Sequence, residues 1–334
     1  MIEDMKRRDF LVKLLGIPAA LMALEHEALF PEKKSNLILN DDPMSFLEDI
    51  VATRWKTHLM GGPLNAASGL DSVVREVAHF ERQVRGKAWH ERALAQLCMI
   101  YQLQGSVAGD IMNYERALEI YGLAFISASE LHDVELMAAV RVRQGIVLMR
   151  QDKPLEAISY FNDGLDLIDG SGYPQLKGNT LTILSEAYAK AHQPLECWRT
   201  LDRAESVLEQ QTTQRERSYR TFSPALVTAH KGIDALLLRD FDRALRLIEK
   251  SIKTYDRTQL PAQARLLARK AEAYYGLRRI DECTGTAEES FLLAQSVGAS
   301  NTIDRIKSLY TILQLSPWNR EPSVRRLGAL LASS

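Results

Sequence analysis

The side chains that could do chemistry in this sequence are dispersed along it rather than gathered in a reactive motif. HExxH, CxxC, GxSxG and phosphate-binding glycine-loop motifs do not occur in the sequence. Of the seven histidines, only His79 and His90 lie near each other, at a spacing that puts them on different helices or turns. The scattered acids and bases suit hydrogen bonding and ion pairing with a ligand. We therefore expect no catalytic residue, no metal site and no cofactor.

The composition is that of an ordinary soluble protein. Hydrophobic residues make up 46% of the chain and charged residues 25%. Forty-two basic and forty-three acidic residues give a formal net charge of −1, so no overall positive field attracts a phosphate backbone. The cysteines Cys98, Cys197 and Cys283 are far apart, and each is expected to be reduced and buried in a helix. We expect a protein or peptide partner, without direct nucleic-acid binding or stable membrane insertion.

Pairs of small residues, each pair twelve positions apart, recur along the chain. They are Gly105 with Ala117, Gly145 with Ala157, Ser185 with Cys197, Gly232 with Ala244, and Ala271 with Cys283. The first members follow one another at steps of 40, 40, 47 and 39 residues. Apolar residues follow at helical spacing, three positions after the first member and four after the second. Small side chains let two helix axes approach closely, so each unit is predicted to be a pair of helices crossing at these positions.

The best-fitting units also carry a known signature. They read YQLQGSVA…YERALEIYGLA over residues 101–124 and RVRQGIVL…PLEAISYFNDGL over residues 141–165. These segments resemble the tetratricopeptide repeat, although the units are longer than the usual repeat of about 34 residues and lack its closing proline. The resemblance implies an all-α, right-handed α-solenoid of about five helix pairs whose first helices line a concave surface.

The repeats are flanked by helical segments on both sides. The five repeats are assigned to residues 89–300, and a helical lead-in to residues 41–88. Within the lead-in, the GGP stretch at 61–63 is predicted to stop one helix before the next begins. Residues 301–334 are predicted to form capping helices, because a solenoid needs its exposed apolar end covered.

The order of several short segments is also similar to a wider family. RRDFL near the start, QGSVAGD in the first repeat and SPW…SVRRLGALL near the end occur as in the helical sensor half of bacterial regulators that join a helix-turn-helix domain to tetratricopeptide repeats. Only six residues precede Arg7, so the helix-turn-helix domain itself is missing from this sequence. A stand-alone member and a truncated one are both considered. The resemblance implies a regulatory, signal-sensing role, and transcriptional regulation would need a separate DNA-binding partner.

The segment at residues 1–40 has two interpretations. Arg7 and Arg8 followed by an apolar run resemble a twin-arginine export signal, which would make the chain an exported envelope scaffold. Acidic residues around the arginines and the lack of an AxA cleavage site argue against export. The apolar run is also shorter than the roughly 20 residues that cross a bilayer. A cytoplasmic linker that docks on the solenoid is the favoured interpretation.

Candidate ligand-binding residues follow from the repeat resemblance, in which five positions of each first helix point into the concave surface. They are Gln102, Asp110, Arg150, Asn179, Glu186, Lys190, Arg265, Glu272 and Tyr275. Such a mixed-charge lining can hydrogen-bond an extended or helical peptide. The fourth repeat is apolar there, which predicts either the floor of a pocket or a surface covered by the terminal helices or by residues 6–24. We expect a non-enzymatic binding scaffold with an open concave surface and exposed end helices, an arrangement compatible with a homodimer.

Overall fold

The structure, a computed structural model, describes residues 43–170, 172–209 and 222–333. Within these ranges the chain forms fourteen α-helices and no β-strand. Helices that follow one another in sequence pack together, so the elements stack along the chain as a solenoid. The N-terminal segment that resembles an export signal lies outside the described residues.

The helices fall into a lead-in, five pairs and a terminal pair. The lead-in comprises α1 (Pro43–Ala67) and α2 (Leu70–Val84). The pairs are α3 (His90–Asp110) with α4 (Tyr114–Glu130), α5 (Val134–Arg150) with α6 (Pro154–Leu167), α7 (Pro174–Lys190) with α8 (Pro194–Glu209), α9 (Pro224–Leu237) with α10 (Phe241–Thr254), and α11 (Leu260–Gly276) with α12 (Ile280–Val297). The terminal pair is α13 (Ser300–Gln314) and α14 (Pro322–Ala332). In each of the five pairs, the first member is called the A helix and the second the B helix.

The small residues lie where A and B helices cross. A Cβ added to Gly105 would lie 2.6 Å from the Tyr121 ring, and a Cβ added to Gly145 would lie 2.5 Å from the Phe161 ring. Both distances are too short for any side chain to fit. All ten members of the five pairs are buried. The bulky residue that fills each of these two crossings lies four positions after the second small residue, so the spacing in the sequence corresponds to a contact in space.

Every A helix ends in the same backbone conformation. The residue seven positions after each first small residue has a positive φ between 57° and 66°: Met112, Asp152, His192, Arg239 and Arg278. The N–H of the next residue donates to a carbonyl oxygen five positions earlier, at 2.8–3.0 Å. This is the closing hydrogen bond of a Schellman motif, in which the left-handed position usually holds glycine. At two of these turns the next residue, Asn113 or Asp240, also caps the B helix through its side chain.

The GGP stretch bends α1 instead of ending it. Gly62 has a φ of 79°, and the helix resumes at Pro63 and continues to Ala67. A Cβ at Gly62 would lie 2.5 Å from the carbonyl oxygen of Val297, at the end of α12. The glycine therefore allows two backbones from opposite ends of the repeat array to touch.

The two ends of the array are joined, which corrects the expectation of an open trough with exposed end helices. Helix α1 packs against α11 and α12 of the fifth repeat as well as against α3 of the first. The Asn301 side chain on α13 donates to the carbonyl oxygens of Gly109 and Asp110 at 3.0 and 3.1 Å, and accepts from the Tyr114 hydroxyl at 2.7 Å. The lead-in and terminal helices thus close the array across its first and fifth repeats.

The apolar inward face of the fourth repeat is covered by other helices. Four of its five residues are buried, Leu226, Ala229, Ile233 and Leu236, and Leu237 is partly buried. Helix α9 packs against the neighbouring A helices α7 and α11 as well as against its own B helix. The neighbouring repeats bury this face, whereas cover by the terminal helices is not observed among the described contacts, and residues 6–24 lie outside the described residues.

Candidate binding surface

Polar side chains of the A helices gather in two clusters, each completed by a helix from outside the repeats. The N-terminal cluster joins α1, α3 and α5 and consists of His58, Gln102, Ser106, Asp110, Arg143 and Arg150. The C-terminal cluster joins α7, α9, α11 and α13 and consists of Glu186, His230, Asp234, Arg269, Glu272 and Arg305. Five of the nine predicted binding residues belong to these two clusters.

Asp110 lies between two basic side chains. One of its carboxylate oxygens accepts from Arg150 Nη2 at 2.6 Å, and the other lies 2.7 Å from His58 Nε2. Burial raises the pKa of Asp110, but the Arg150 guanidinium and His58 outweigh that effect and hold it below its usual range. Asp110 is therefore ionised at neutral pH and ties the first repeat to the second.

Arg143 has a different environment within the same cluster. Its guanidinium carbon lies 4.3 Å from the centre of the Trp55 ring, a cation–π distance. Its Nε donates to Gln102 Oε1 at 2.9 Å, and its Nη1 donates to Ser106 Oγ at 3.0 Å. All of these partners are neutral. Gln102, one of the predicted binding residues, thus orients a cation that the sequence interpretation did not select.

Lys190 links the second and third repeats at their turn. Its Nζ donates to the carbonyl oxygen of Met149 at 2.9 Å and lies 2.7 Å from Asp152 Oδ1. The ammonium thereby satisfies a carbonyl in the last turn of α5, where positive charge is favoured by the helix dipole. About a quarter of its side chain remains exposed, at 24%.

The C-terminal cluster is built around the buried Arg269. It donates to Glu186 Oε1 at 2.9 Å and to Glu272 Oε2 at 3.3 Å, and Arg305 on α13 donates to the other oxygen of Glu272 at 2.9 Å. Burial raises the pKa of Glu186, but the surrounding cations, Arg269 first, lower it to about 2. Arg265, another predicted residue, is one of these cations. The four contacting side chains lock three elements together.

Asp234 is a buried acid in this cluster without a charge partner. Its side chain is fully buried, and over the described ranges no hydrogen bond of ordinary geometry reaches either carboxyl oxygen, although the Ser185 hydroxyl and the Cys197 thiol lie beside it. The Ser185 hydroxyl beside it donates instead to the Thr182 carbonyl oxygen at 2.8 Å. Burial, with the negative charge of Glu186, raises the pKa of Asp234 well above its usual value, so the neutral acid is favoured.

The remaining predicted residues lie apart from the clusters. Asn179 is buried and donates to the carbonyl oxygen of Gln175 at 2.8 Å, within its own helix. Tyr275 makes an edge contact with Trp318, with ring centroids 6.1 Å apart. Both rings line an open cavity of about 530 Å³ between the end of α11 and the loop before α14, together with Arg278, Ile312 and Leu315. The nine predicted residues therefore do not form one continuous site.

Sequence reasoning missed residues that contribute directly to the clusters. Trp55, His58 and Arg305 lie on the lead-in and terminal helices, whose faces the repeat period does not describe. Arg143 lies on an A helix but outside the five positions assigned to the inner surface. The sequence did contain a signal for Arg143. This residue lies 41 positions after Gln102, which is one repeat and one residue, and side chains about one repeat apart meet on neighbouring A helices.

Comparisons with known proteins find similarity in structure but not in sequence. No family model matches the chain, and no curated protein matches it. The crystal structure of a Rap protein complexed with competence and sporulation factor is similar with a TM-score of 0.62 and 14% identity, over 87% of this chain and 74% of that one. The apo form of RapI has a TM-score of 0.57 and 13% identity, over 87% of this chain and 94% of that one.

A structure described as a tetratricopeptide repeat protein from Parabacteroides merdae shares 13% identity over 86% of this chain and 99% of that one, with a TM-score of 0.43. Identities this low bear on the fold alone. The two Rap structures, whose TM-scores exceed 0.5, agree with the stacking of A and B helices described above. The described part of the chain has the fold of a tetratricopeptide-like helical-repeat solenoid.

Proposed function

We propose that this chain is a non-enzymatic scaffold that binds a peptide, or an extended segment of a protein, along the inner surface of its A helices. The observation that carries the proposal is a row of ion pairs between neighbouring repeats. Asp110 pairs with Arg150, and Lys190 pairs with Asp152 at the next boundary. Each pair joins side chains about one repeat apart.

These pairs keep part of their hydrogen-bonding capacity. The exposed fractions of the Asp110, Arg150 and Lys190 side chains are 19%, 30% and 24%, so each side chain is held in place by its ion pair and is still partly exposed to solvent. Fixed donors and acceptors at repeating intervals suit the regular backbone of an extended or helical peptide, because less side-chain freedom is lost on binding.

The fold supports the same class of ligand. The Rap protein with a TM-score of 0.62 was crystallised as a complex with competence and sporulation factor. That complex concerns the Rap protein. For this chain, it makes a short peptide the first class of ligand to test.

The test is binding of fluorescent random-sequence short peptides, measured by anisotropy. Arg150→Ala removes one arm of the ion-pair row and is expected to weaken binding about tenfold, as expected for one charge-assisted hydrogen bond. The matched control is Arg199→Ala on α8, whose side chain is 63% exposed and, among the described residues, pairs with Glu196 of its own helix. Failure of any peptide to bind, or equal weakening by both variants, would contradict the proposal.

A regulatory role is the second proposal, and the sequence resemblance to sensor halves of bacterial regulators favours it. In that role the chain would act on transcription through a separate DNA-binding protein. Tagged chain recovered from cells of its source should co-purify with a helix-turn-helix protein. Recovery without one would count against this role.

The compartment is a separate proposal, with the cytoplasm favoured over twin-arginine export. Over the described ranges, no helix combines the length and apolar character needed to cross a membrane. Cell fractionation combined with N-terminal sequencing separates the alternatives. Intact residues 1–40 in the cytosolic fraction are expected, and a processed chain in the envelope fraction would contradict the proposal.

A further inference from the structure

We infer that Arg143 is the binding point for a carboxylate group of the peptide ligand, held in position by Trp55, Gln102 and Ser106. This inference rests on the proposed function and gives it a chemical class, a peptide that carries an acidic side chain or a free C-terminal carboxylate. Nothing in the repeat signature selects this residue.

The guanidinium is held rigidly by neutral groups. The Trp55 ring beneath it is almost fully buried and is itself fixed by a hydrogen bond from its Nε1 to the Met99 carbonyl oxygen at 3.1 Å. Gln102 and Ser106, which accept from Nε and Nη1, are also buried. The Ser106 hydroxyl is in turn 3.0 Å from the Tyr121 hydroxyl. The orientation of Arg143 is therefore set before any ligand arrives.

Arg143 has no carboxylate within ion-pair distance among residues 43–170, 172–209 and 222–333. The three other arginines of the two clusters, Arg150, Arg269 and Arg305, each pair with an acid. Asp110, the acid of the same cluster, is already occupied by Arg150 and His58. The N-terminal cluster therefore holds two arginines and one acid.

Part of the guanidinium also lacks a hydrogen-bond acceptor. Arginine carries five N–H donors, and over the described residues Nε and Nη1 have acceptors in Gln102 and Ser106 whereas Nη2 has none at ordinary hydrogen-bond geometry, with the Tyr121 hydroxyl as the other polar group nearby. The free Nη1–H and the Nη2 group form a fork that matches the two oxygens of a carboxylate. The side chain is only partly buried, so this fork is not sealed off from solvent.

Burial adds an energetic reason for an anion at this position. Loss of hydration around Arg143 lowers its pKa, which means that the charged form is less favourable here than in water. A partly buried cation with only neutral partners is unfavourable for folding, and a bound carboxylate offsets that cost. Arg143 is therefore a local site of positive charge in a chain whose formal net charge is −1.

The first experiment uses acetate as the probe and tryptophan fluorescence as the readout, at constant ionic strength with chloride as the reference anion, and Trp89, Trp198 and Trp318 are replaced by phenylalanine in every variant so that Trp55 gives the signal. Acetate is expected to produce a saturable change in the wild-type protein and in Arg199→Gln, and none in Arg143→Gln. Arg143→Lys keeps the charge but loses the fork, and is expected to bind acetate more weakly than the wild type. An equal response in Arg143→Gln, or no saturable response in the wild type, would overturn the inference.

The second experiment identifies the source of the carboxylate. Random short peptides are prepared in three forms: amidated with one glutamate, amidated with glutamine in its place, and the glutamine form with a free C-terminus. One of the two acidic forms is expected to bind about tenfold or more tightly than the neutral amidated form, and Arg143→Gln is expected to abolish that preference. A preference for the glutamate form assigns an acidic side chain, and a preference for the free acid assigns the C-terminus.

The outcomes separate this inference from the proposed function. Peptide binding without a preference for acidic forms would leave the scaffold role standing and overturn the role of Arg143. A preference that survives in Arg143→Gln would do the same. Saturable acetate binding without any peptide binding would support the carboxylate site and overturn peptide binding as the function.

Discussion

The buried ionisable side chains of this protein lie in three different environments. Asp110 and Glu186 are each paired with an arginine and have a histidine beside them, so they remain ionised despite burial. Asp234 has no such partner and is favoured as the neutral acid. Arg143 is a cation surrounded by neutral groups. The first arrangement stabilises the fold, whereas the last two reduce stability.

Asp234 gives a prediction for the dependence of stability on pH. The pKa of Asp234 is raised in the folded state, so the unfolded chain loses the carboxyl proton at a lower pH than the folded protein does. As the pH rises above the usual pKa of about 3.8, the free energy of unfolding therefore decreases. Asp234→Asn removes this proton. The variant is expected to gain stability relative to the wild type by about 1.4 kcal/mol per pH unit until the folded-state pKa is reached.

Urea unfolding from about pH 5 to about pH 8 measures this difference. The control is Asp202→Asn, because Asp202 is exposed on α8 and its substitution should leave the pH dependence unchanged. A constant difference between Asp234→Asn and the wild type over this range would show that Asp234 is ionised in the folded protein.

At the scale of the helix pair, tight crossings determine how A and B helices meet. Gly145→Ala places a methyl group 2.5 Å from the Phe161 ring and is expected to destabilise the protein by about 1–3 kcal/mol through overpacking. Gly122→Ala on α4 is the matched control, since nothing lies within 4 Å of the added methyl group. That control is expected to stabilise the helix by up to about 1 kcal/mol. The measurement is thermal unfolding of both variants. Equal melting temperatures for Gly145→Ala and Gly122→Ala would contradict the assigned helix crossing.

The shared turn gives a second prediction at this scale. Arg239 has a φ of 66° and an exposed side chain, so its left-handed backbone is strained without a compensating contact in the described structure. Arg239→Gly relieves the strain and is expected to stabilise the protein by up to about 1 kcal/mol, reduced by the greater freedom of glycine in the unfolded chain. Arg239→Ala retains the strain and serves as the control. If Arg239→Ala had a melting temperature equal to or higher than that of Arg239→Gly, the proposed backbone strain at residue 239 would be contradicted.

The positions at which A and B helices cross could be predicted from sequence. Gly105, Gly145 and their small partners recur at one spacing, and the residues that meet at each crossing are close together in the sequence. The polar clusters could not be predicted in the same way. Glu186 and Arg269 are 83 positions apart, and the partners of Arg143 and Asp110 include residues of α1. Contacts of this kind depend on how far the array curves, and a repeat period carries no information about curvature. The turn residues were also missed, since arginine, histidine and methionine are unusual in a left-handed position.

For the whole molecule, the contact between the two ends is the feature that separates this array from an open solenoid. In an open solenoid each repeat touches only its neighbours. Here Asn301 bonds to residues of the first repeat, 191 and 192 positions earlier in the chain. Unfolding of one end should therefore affect the other, and the array should unfold more cooperatively than a linear stack.

Asn301→Ala tests this coupling. The variant loses the hydrogen bonds to Gly109, Asp110 and Tyr114, and is expected to lose about 1–3 kcal/mol of stability. Hydrogen exchange should show faster opening at both the end of α3 and α13. Thr311→Ala, whose exposed hydroxyl bonds only within α13, is the control. Faster exchange confined to α13 would mean that the two ends open independently.

The contact of Gly62 with the backbone of Val297 also bears on how a protein of this kind can change its length. Open repeat arrays gain or lose units by duplication or deletion, because each unit needs only its neighbours. In this chain a sixth unit would carry the end of α12 away from α1, and a missing unit would force the same two backbones into collision. The count of five is thus constrained by geometry, and descendants of this protein are expected to diversify by substitution within units, not by a change in their number.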